Sequence, residues 1–168
     1  MALYSAIVTQ ARRPEFYRDF AVPDTLDGRF DMIVLHTILT LRRLGRIGEQ
    51  GRALSQTLFD LLFADMDSSL REIGVGDLSV GKKVKAMAQA FYGRADAYEA
   101  GLNSPAADAA LTGALARNLY GTASAPPDPA LAGMATYMRQ VDTNLAAQED
   151  EYLLAGKLVF PAPPSLLR

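Results

Sequence analysis

The chain has 168 residues, about one ordinary domain, with 49% hydrophobic and 21% charged residues, a mix that supports one packed core and excludes disorder as the dominant state. Seventeen Lys and Arg against nineteen Asp and Glu give a net charge of -2, which argues against a general nucleic-acid binder and against DNA as a partner. Cysteine is absent and His36 is the one histidine, so a disulfide framework, thiolate chemistry and any metal site that needs two histidines from one chain are excluded.

The apolar spacing is helical nearly throughout. Residues 2–13 form a short helix with Leu3, Ile7, Val8 and Ala11 on one side, and Pro14 breaks it. Residues 15–21 read as a helical turn closed by Val22-Pro23. Asp24, or the Asp27-Gly28 pair, opens a longer helix to about residue 44, where Gly45 and Gly48 end it. The next runs from about residue 49 to 73. Gly74-Val-Gly76 is a turn, since glycine takes positive φ cheaply. Asp77 or Ser79 caps a fourth helix to about residue 102. Asn103-Ser104-Pro105 starts a fifth, ending at Tyr120-Gly121. After the stiff linker Ala125-Pro-Pro-Asp-Pro129, a last helix covers about 129–158, and residues 159–168 are a Pro-rich, non-helical tail free to move. The expectation is one all-α globular domain over 1–158, of about six or seven helices, with no significant sheet and no internal repeat.

The longest strongly apolar run, residues 32–41, is about half of the ~20 residues that cross a bilayer. Near the N-terminus Arg12 and Arg13 follow the apolar stretch, the wrong order for a signal peptide. Both features point to a cytoplasmic protein.

Three helical wheels are informative, at ~100° per residue. The helix holding Phe30, Ile33, Val34, Leu35, Ile38, Leu39, Leu41 and Leu44 is apolar nearly all round, as a central helix of a bundle is. Arg29, His36, Thr40 and Arg43 make its narrow polar stripe. That stripe either faces a partner or pairs internally. On the next helix Asp65 and Ser69 sit inside an apolar arc, where a carboxylate is unfavourable unless paired, so Arg29, His36, Arg43 and Asp65 are grouped as an internal polar cluster. On the fourth helix Val80, Val84, Met87, Phe91, Ala95, Tyr98 and Leu102 form a core stripe. Three of the four lysines, Lys82, Lys83 and Lys85, lie in its first turns and point away from the stripe. Cations there oppose the helix dipole, so either local acids (Asp67, Glu72, Asp77) or an anionic partner should offset them.

Gly76-Asp-Leu-Ser-Val-Gly81-Lys82 matches the front of a phosphate-binding loop. Lys83 follows where Ser or Thr should meet Mg²⁺, and a helix precedes it where a strand is required, so nucleotide hydrolysis is set aside.

The run Leu58-Phe-Asp-Leu-Leu-Phe-Ala-Asp-Met-Asp-Ser-Ser-Leu-Arg-Glu-Ile-Gly-Val-Gly-Asp-Leu-Ser-Val-Gly-Lys-Lys-Val-Lys-Ala-Met-Ala-Gln-Ala-Phe-Tyr-Gly-Arg94 resembles the signature of the ubiquinol–cytochrome c chaperone family. Gly28-Arg-Phe-Asp31, Leu35-His36, Leu41-Arg-Arg-Leu44, Ala97-Tyr-Glu99 and Ala114-Leu-Ala-Arg-Asn118 support it across residues 24–121, and Ala11-Arg-Arg-Pro-Glu-Phe-Tyr17 is similar in the same way. The chain resembles the shorter, bacterial type. The resemblance implies a non-enzymatic assembly chaperone that binds newly made cytochrome b and promotes cytochrome bc1 assembly. It further implies contact with the ribosomal exit region and, as a peripheral protein, with the inner membrane. Mitochondrial members also work with a small partner subunit. The resemblance carries no catalytic residue, metal or cofactor. It encloses the Gly-Val-Gly turn, the lysine trio and the segment 91–94. Arg71, Glu72, Gly74, Gly76, Asp77, Lys82, Lys83, Lys85, Tyr92 and Arg94 are therefore the expected partner-binding residues. Two alternatives stay open: a ribosome- or RNA-associated factor acting through the lysine face, and an enzyme using Asp65, Asp67 or Glu72.

Overall fold

The computed structural model describes residues 1–104, 108–121 and 125–165. Among these residues there are eight α-helices and no strand: α1 Ala2–Ala11, α2 Pro14–Arg18, α3 Leu26–Leu44, α4 Glu49–Glu72, α5 Asp77–Leu102, α6 Ala109–Asn118, α7 Asp128–Ala147 and α8 Asp150–Leu154. Counting the two five-residue turns α2 and α8, that is slightly more than the six or seven expected, and the all-α class stands.

The central helix is α3, against which α1, α4, α5 and α7 pack. Residues 32–40 are buried without interruption, which an all-round apolar helix requires. The polar members of that run are satisfied within reach. Thr37 Oγ1 donates to the Ile33 carbonyl and Thr40 Oγ1 to the His36 carbonyl, each at 2.8 Å. The helix begins one residue away from the expected aspartates. Thr25 is the N-cap, its hydroxyl accepting from the Gly28 N–H at 3.1 Å.

Helices α4 and α5 are the longest, roughly 36 and 39 Å, and pack together as an antiparallel hairpin. Their turn is a Schellman motif. Gly74 has φ +92° and its N–H donates to the Arg71 carbonyl at 3.0 Å, while the Val75 N–H donates to the Leu70 carbonyl at 3.0 Å. Between residues 71 and 79 every side chain but Val75 is exposed, so the hairpin tip stands proud of the bundle.

Two boundaries differ from the sequence reading. The fifth helix starts at Ala109, not at Asn103-Ser104, and Pro105 lies outside the described residues. The expected helix over 129–158 is broken. Helix α7 stops at Ala147, Gln148 turns extended (φ -79°, ψ 138°), and α8 follows. The cause is Arg43 of α3, whose guanidinium donates to the carbonyls of Leu145 (2.8 Å) and Gln148 (2.7 Å) and pairs with Asp150 at 2.6 Å. A buried cation thus takes the carbonyls that a continuing helix would have bonded itself.

The described part of the tail is anchored rather than loose. Gln148 bonds the backbone of Val159 on both sides, Pro161 accepts from Gln10 Nε2 at 2.9 Å, and Pro163 is buried. Phe160 meets His36 edge-on with ring centroids 5.2 Å apart.

Candidate functional site

The structure does not bring Arg29, His36, Arg43 and Asp65 together. Each finds its own partner. Arg29 lies at the exposed start of α3 and pairs with Asp24 five residues back, at 2.8 Å. Arg43 closes α7 as described. Asp65 is half-buried and accepts from the Tyr4 hydroxyl of α1 at 2.5 Å. A shared polar stripe on a wheel gives the direction of each side chain but not the helix it meets.

His36 is fully buried in a chain of hydrogen bonds. Its Nδ1 lies 2.8 Å from the Met32 carbonyl and its Nε2 lies 2.8 Å from the Tyr137 hydroxyl. The carbonyl can only accept, so Nδ1 carries the proton and Nε2 accepts from Tyr137. The Tyr137 oxygen accepts in turn from Gln10 Nε2 at 2.8 Å. Burial holds the imidazole neutral and lowers its pKa to about 4. This relay joins α1, α3, α7 and the tail inside a cage of Phe16, Tyr137 and Phe160. It is internal and faces no partner.

The hairpin tip gathers most of the expected partner-binding residues. Arg71 spans the turn, pairing with Asp67 at 2.7 Å and with Asp77. Glu72 is exposed, as are Gly74 and Gly76, and Gly76 is the N-cap of α5. Lys82, Lys83 and Lys85 are all exposed, and no ion pair engages them among the described residues, because the nearby Asp77 and Asp67 are both held by Arg71. The expected clash with the helix dipole is relieved by the helix start itself, because α5 begins at Asp77 and the lysines are its sixth, seventh and ninth residues, past the first turn where the dipole acts. The segment 76–82 is the cap and first turns of α5, entered from a helix, so the phosphate-loop likeness has no strand behind it.

Tyr92 is 59% exposed, its ring lying on Phe59 with centroids 5.6 Å apart. Arg94 does not join this surface. It pairs at 2.6 Å with Asp31 of α3, both largely buried, and so ties α5 to the central helix. Burial outweighs the guanidinium and raises the Asp31 carboxyl to about 6.

Sequence reasoning missed a groove. A cavity of about 850 Å³ opens between the α1–α2 corner, the start of α3, the second half of α4 and Met87 of α5. Its apolar lining is Leu26, Phe30, Ile33, Met66, Leu70 and Ile73, and its rim carries Arg12, Arg18, Arg29, Asp27, Asp65 and Glu72. Leu26 is 63% and Ile73 61% exposed, so two large aliphatic side chains stand open at its mouth. The signal in the sequence was a carboxylate inside an apolar arc and a leucine at the first position of α3. Neither shows that distant elements converge. Of the acids in the enzyme alternative, Asp65 is bonded to Tyr4 and Asp67 to Arg71, while Glu72 lines the groove.

No helix of the described residues is long and apolar enough to cross a membrane. A family profile described as ubiquinol-cytochrome C chaperone matches residues 18–160, which contain the whole α4–α5 hairpin and most of the groove. Ubiquinol-cytochrome-c reductase complex assembly factor 1 of Xenopus laevis is 25% identical over 161 residues, covering 95% of this chain and 79% of that protein. Its counterpart in Homo sapiens is 25% identical over 174 residues, and the chain spans 57% of that longer protein. The crystal structure of the Cbp3 homolog from Brucella abortus superposes with a TM-score of 0.83 at 38% identity, over 95% of this chain and 87% of that one.

Proposed function

The chain belongs to the ubiquinol-cytochrome C chaperone family, and from that premise we propose that it is a non-enzymatic assembly chaperone of the cytochrome bc1 complex whose client is newly made cytochrome b. The observation that carries the reading is the groove. A folded single-domain protein rarely leaves large aliphatic side chains standing at the mouth of an apolar cleft, and where it does a partner usually covers them. An assembly factor for a membrane complex handles apolar helices before they are packed, and a cleft floored by Phe30, Ile33, Met66 and Leu70 suits one face of such a helix. The charged rim gives register and rate more than affinity. The hairpin tip, with Arg71, Glu72, Gly74, Gly76, Asp77 and the three lysines, forms a second contact surface, and Tyr92 belongs to the outward face behind it.

The test uses Leu26→Ser with Leu70→Ser, which line the groove without belonging to the core cluster. In cells whose chromosomal copy is deleted, this variant should fold normally yet restore little cytochrome b and little assembled bc1 complex. A photocrosslinker at position 70 should capture cytochrome b. Full bc1 levels with the double variant would sink the groove assignment, and full levels in the deletion itself would sink the assembly role.

A further inference from the structure

We infer that the α4–α5 tip docks end-on against an anionic lipid surface, with Leu78 entering the interfacial layer and Lys82, Lys83 and Lys85 meeting the headgroup phosphates. The inference deepens the assembly reading, which gives the contact its purpose, but it stands on the geometry of the tip.

Leu78 is 92% exposed in the first turn of α5, the most exposed large hydrophobic side chain among the described residues. Nothing in the fold needs a leucine there. On the wheel Leu78, Lys82 and Lys85 fall within about 60° of one another, opposite the Val80 and Phe91 stripe, and Lys83 lies round the side. Along the axis Lys82 and Lys85 sit roughly 6 and 10 Å behind Leu78. Peripheral helical elements sink their apolar side chains about 5–10 Å into the boundary between headgroups and acyl chains. With α5 steep to the membrane, the leucine reaches that depth just where the lysines meet the phosphate plane.

The charge balance agrees with this orientation. From residue 67 to 85 there are four cations and three acids. Asp67 and Asp77 are both taken up by Arg71, while the three lysines remain without an ion pair among the described residues. The turn itself is slim because Gly74 and Gly76 carry no side chain.

The same features fit other macromolecules less well. A single-stranded RNA surface is built from aromatic platforms beside its cations. Tyr92 lies roughly 21 Å up the helix from Leu78, so the tip has none. Protein interfaces are depleted in lysine at their centres, and here lysines crowd behind the apolar point.

The experiment is vesicle flotation of the full chain, with phosphatidylcholine vesicles containing or lacking phosphatidylglycerol. The wild type should float with the anionic vesicles, leave the neutral ones, and be released by salt. A lysine near an anionic surface is worth about fivefold in partition, so Lys82→Gln with Lys83→Gln and Lys85→Gln should lower it by about 100-fold. Leu78→Ser should lower it by about tenfold, and circular dichroism should show both variants folded. A wild type that does not float, or a Leu78→Ser variant that floats as well as the wild type, overturns the inference. So does retardation of single-stranded RNA without vesicle binding. The groove variant Leu26→Ser with Leu70→Ser should float like the wild type. A tip variant that cannot float but fully restores bc1 overturns the membrane contact and leaves the assembly role untouched. A chain that floats in cells that never needed it for bc1 does the reverse.

Discussion

Gly28 has no room for a side chain. A Cβ at this position would lie 1.9 Å from the Pro23 carbonyl oxygen and 2.9 Å from its carbon, so α3 starts in direct backbone contact with the segment before it. Backbone yields far less readily than a flexible side chain, and overpacking here should exceed the usual range. Gly28→Ala is expected to cost at least about 3 kcal/mol in chemical denaturation, and a change within experimental error would mean that residues 23–28 can rearrange freely. Asp65 changes in the opposite direction once its surroundings are known. As a member of a buried ion cluster its loss would strand a cation. As the acceptor of one half-buried Tyr4 hydroxyl it should cost only roughly 1–2 kcal/mol when replaced by alanine. A loss well above that would point to a partner for Asp65 beyond Tyr4. Gly28 stood in the sequence only as part of a helix-start pair and of a family motif, while the wheel marked Asp65 as unusual. Neither gave the reason, because the reason is a contact with another part of the chain.

At the level of the helix, α1, α3, α4 and α5 were legible because their apolar residues repeat with a helical period and their ends carry glycine or proline. The break between α7 and α8 was not, since it uses neither. Gln148 leaves the helix because Arg43, 105 residues earlier, takes its carbonyl. Arg94 misled in the same way. It sits two residues from exposed Tyr92 and looks like part of one surface, but the wheel turns it toward α3, where Asp31 is waiting. The lysine trio was read from its element alone and keeps its exposed position. Lys82, Lys83 and Lys85 are the sixth, seventh and ninth residues of α5, past the first turn where the dipole acts, and without an ion pair among the described residues the like-charge i,i+3 pair Lys82–Lys85 repels by ~0.2–0.5 kcal/mol in low salt. Changing all three to Gln should therefore leave the melting temperature unchanged or slightly raised, most visibly at low ionic strength. A marked fall would show that they hold the hairpin together.

The groove belongs to the whole molecule, since four helices and the turn between α1 and α2 have to meet before it exists, and for that reason no single wheel announced it. Stability against acid belongs to the whole molecule as well, through two buried groups of opposite sign. His36 titrates at about 4 when folded against an ordinary 6.5. Between those values the unfolded chain binds a proton that the folded chain refuses, so stability rises with pH across that window, by roughly 3 kcal/mol in all. Asp31 does the reverse. Its carboxyl titrates at about 6 when folded against 3.8. Across that interval the folded chain keeps a proton that the unfolded chain has lost, and stability falls with rising pH by roughly the same amount. The two slopes largely cancel between about pH 4 and 6, and these two groups leave the native protein little net dependence there. Asp31→Asn removes the falling component without creating a charge. Arg94 keeps some contact with solvent and can still donate to the amide oxygen of the new asparagine, so the variant should fold. Its stability should then climb with pH from about 4 to 6.5 more steeply than that of the wild type. The difference between the two curves isolates Asp31, because every other titrating group is common to both. Urea denaturation at half-unit steps of pH reads it directly. Parallel curves would mean that Arg94 keeps Asp31 ionised throughout, and that the ion pair, not burial, governs the joint between α3 and α5.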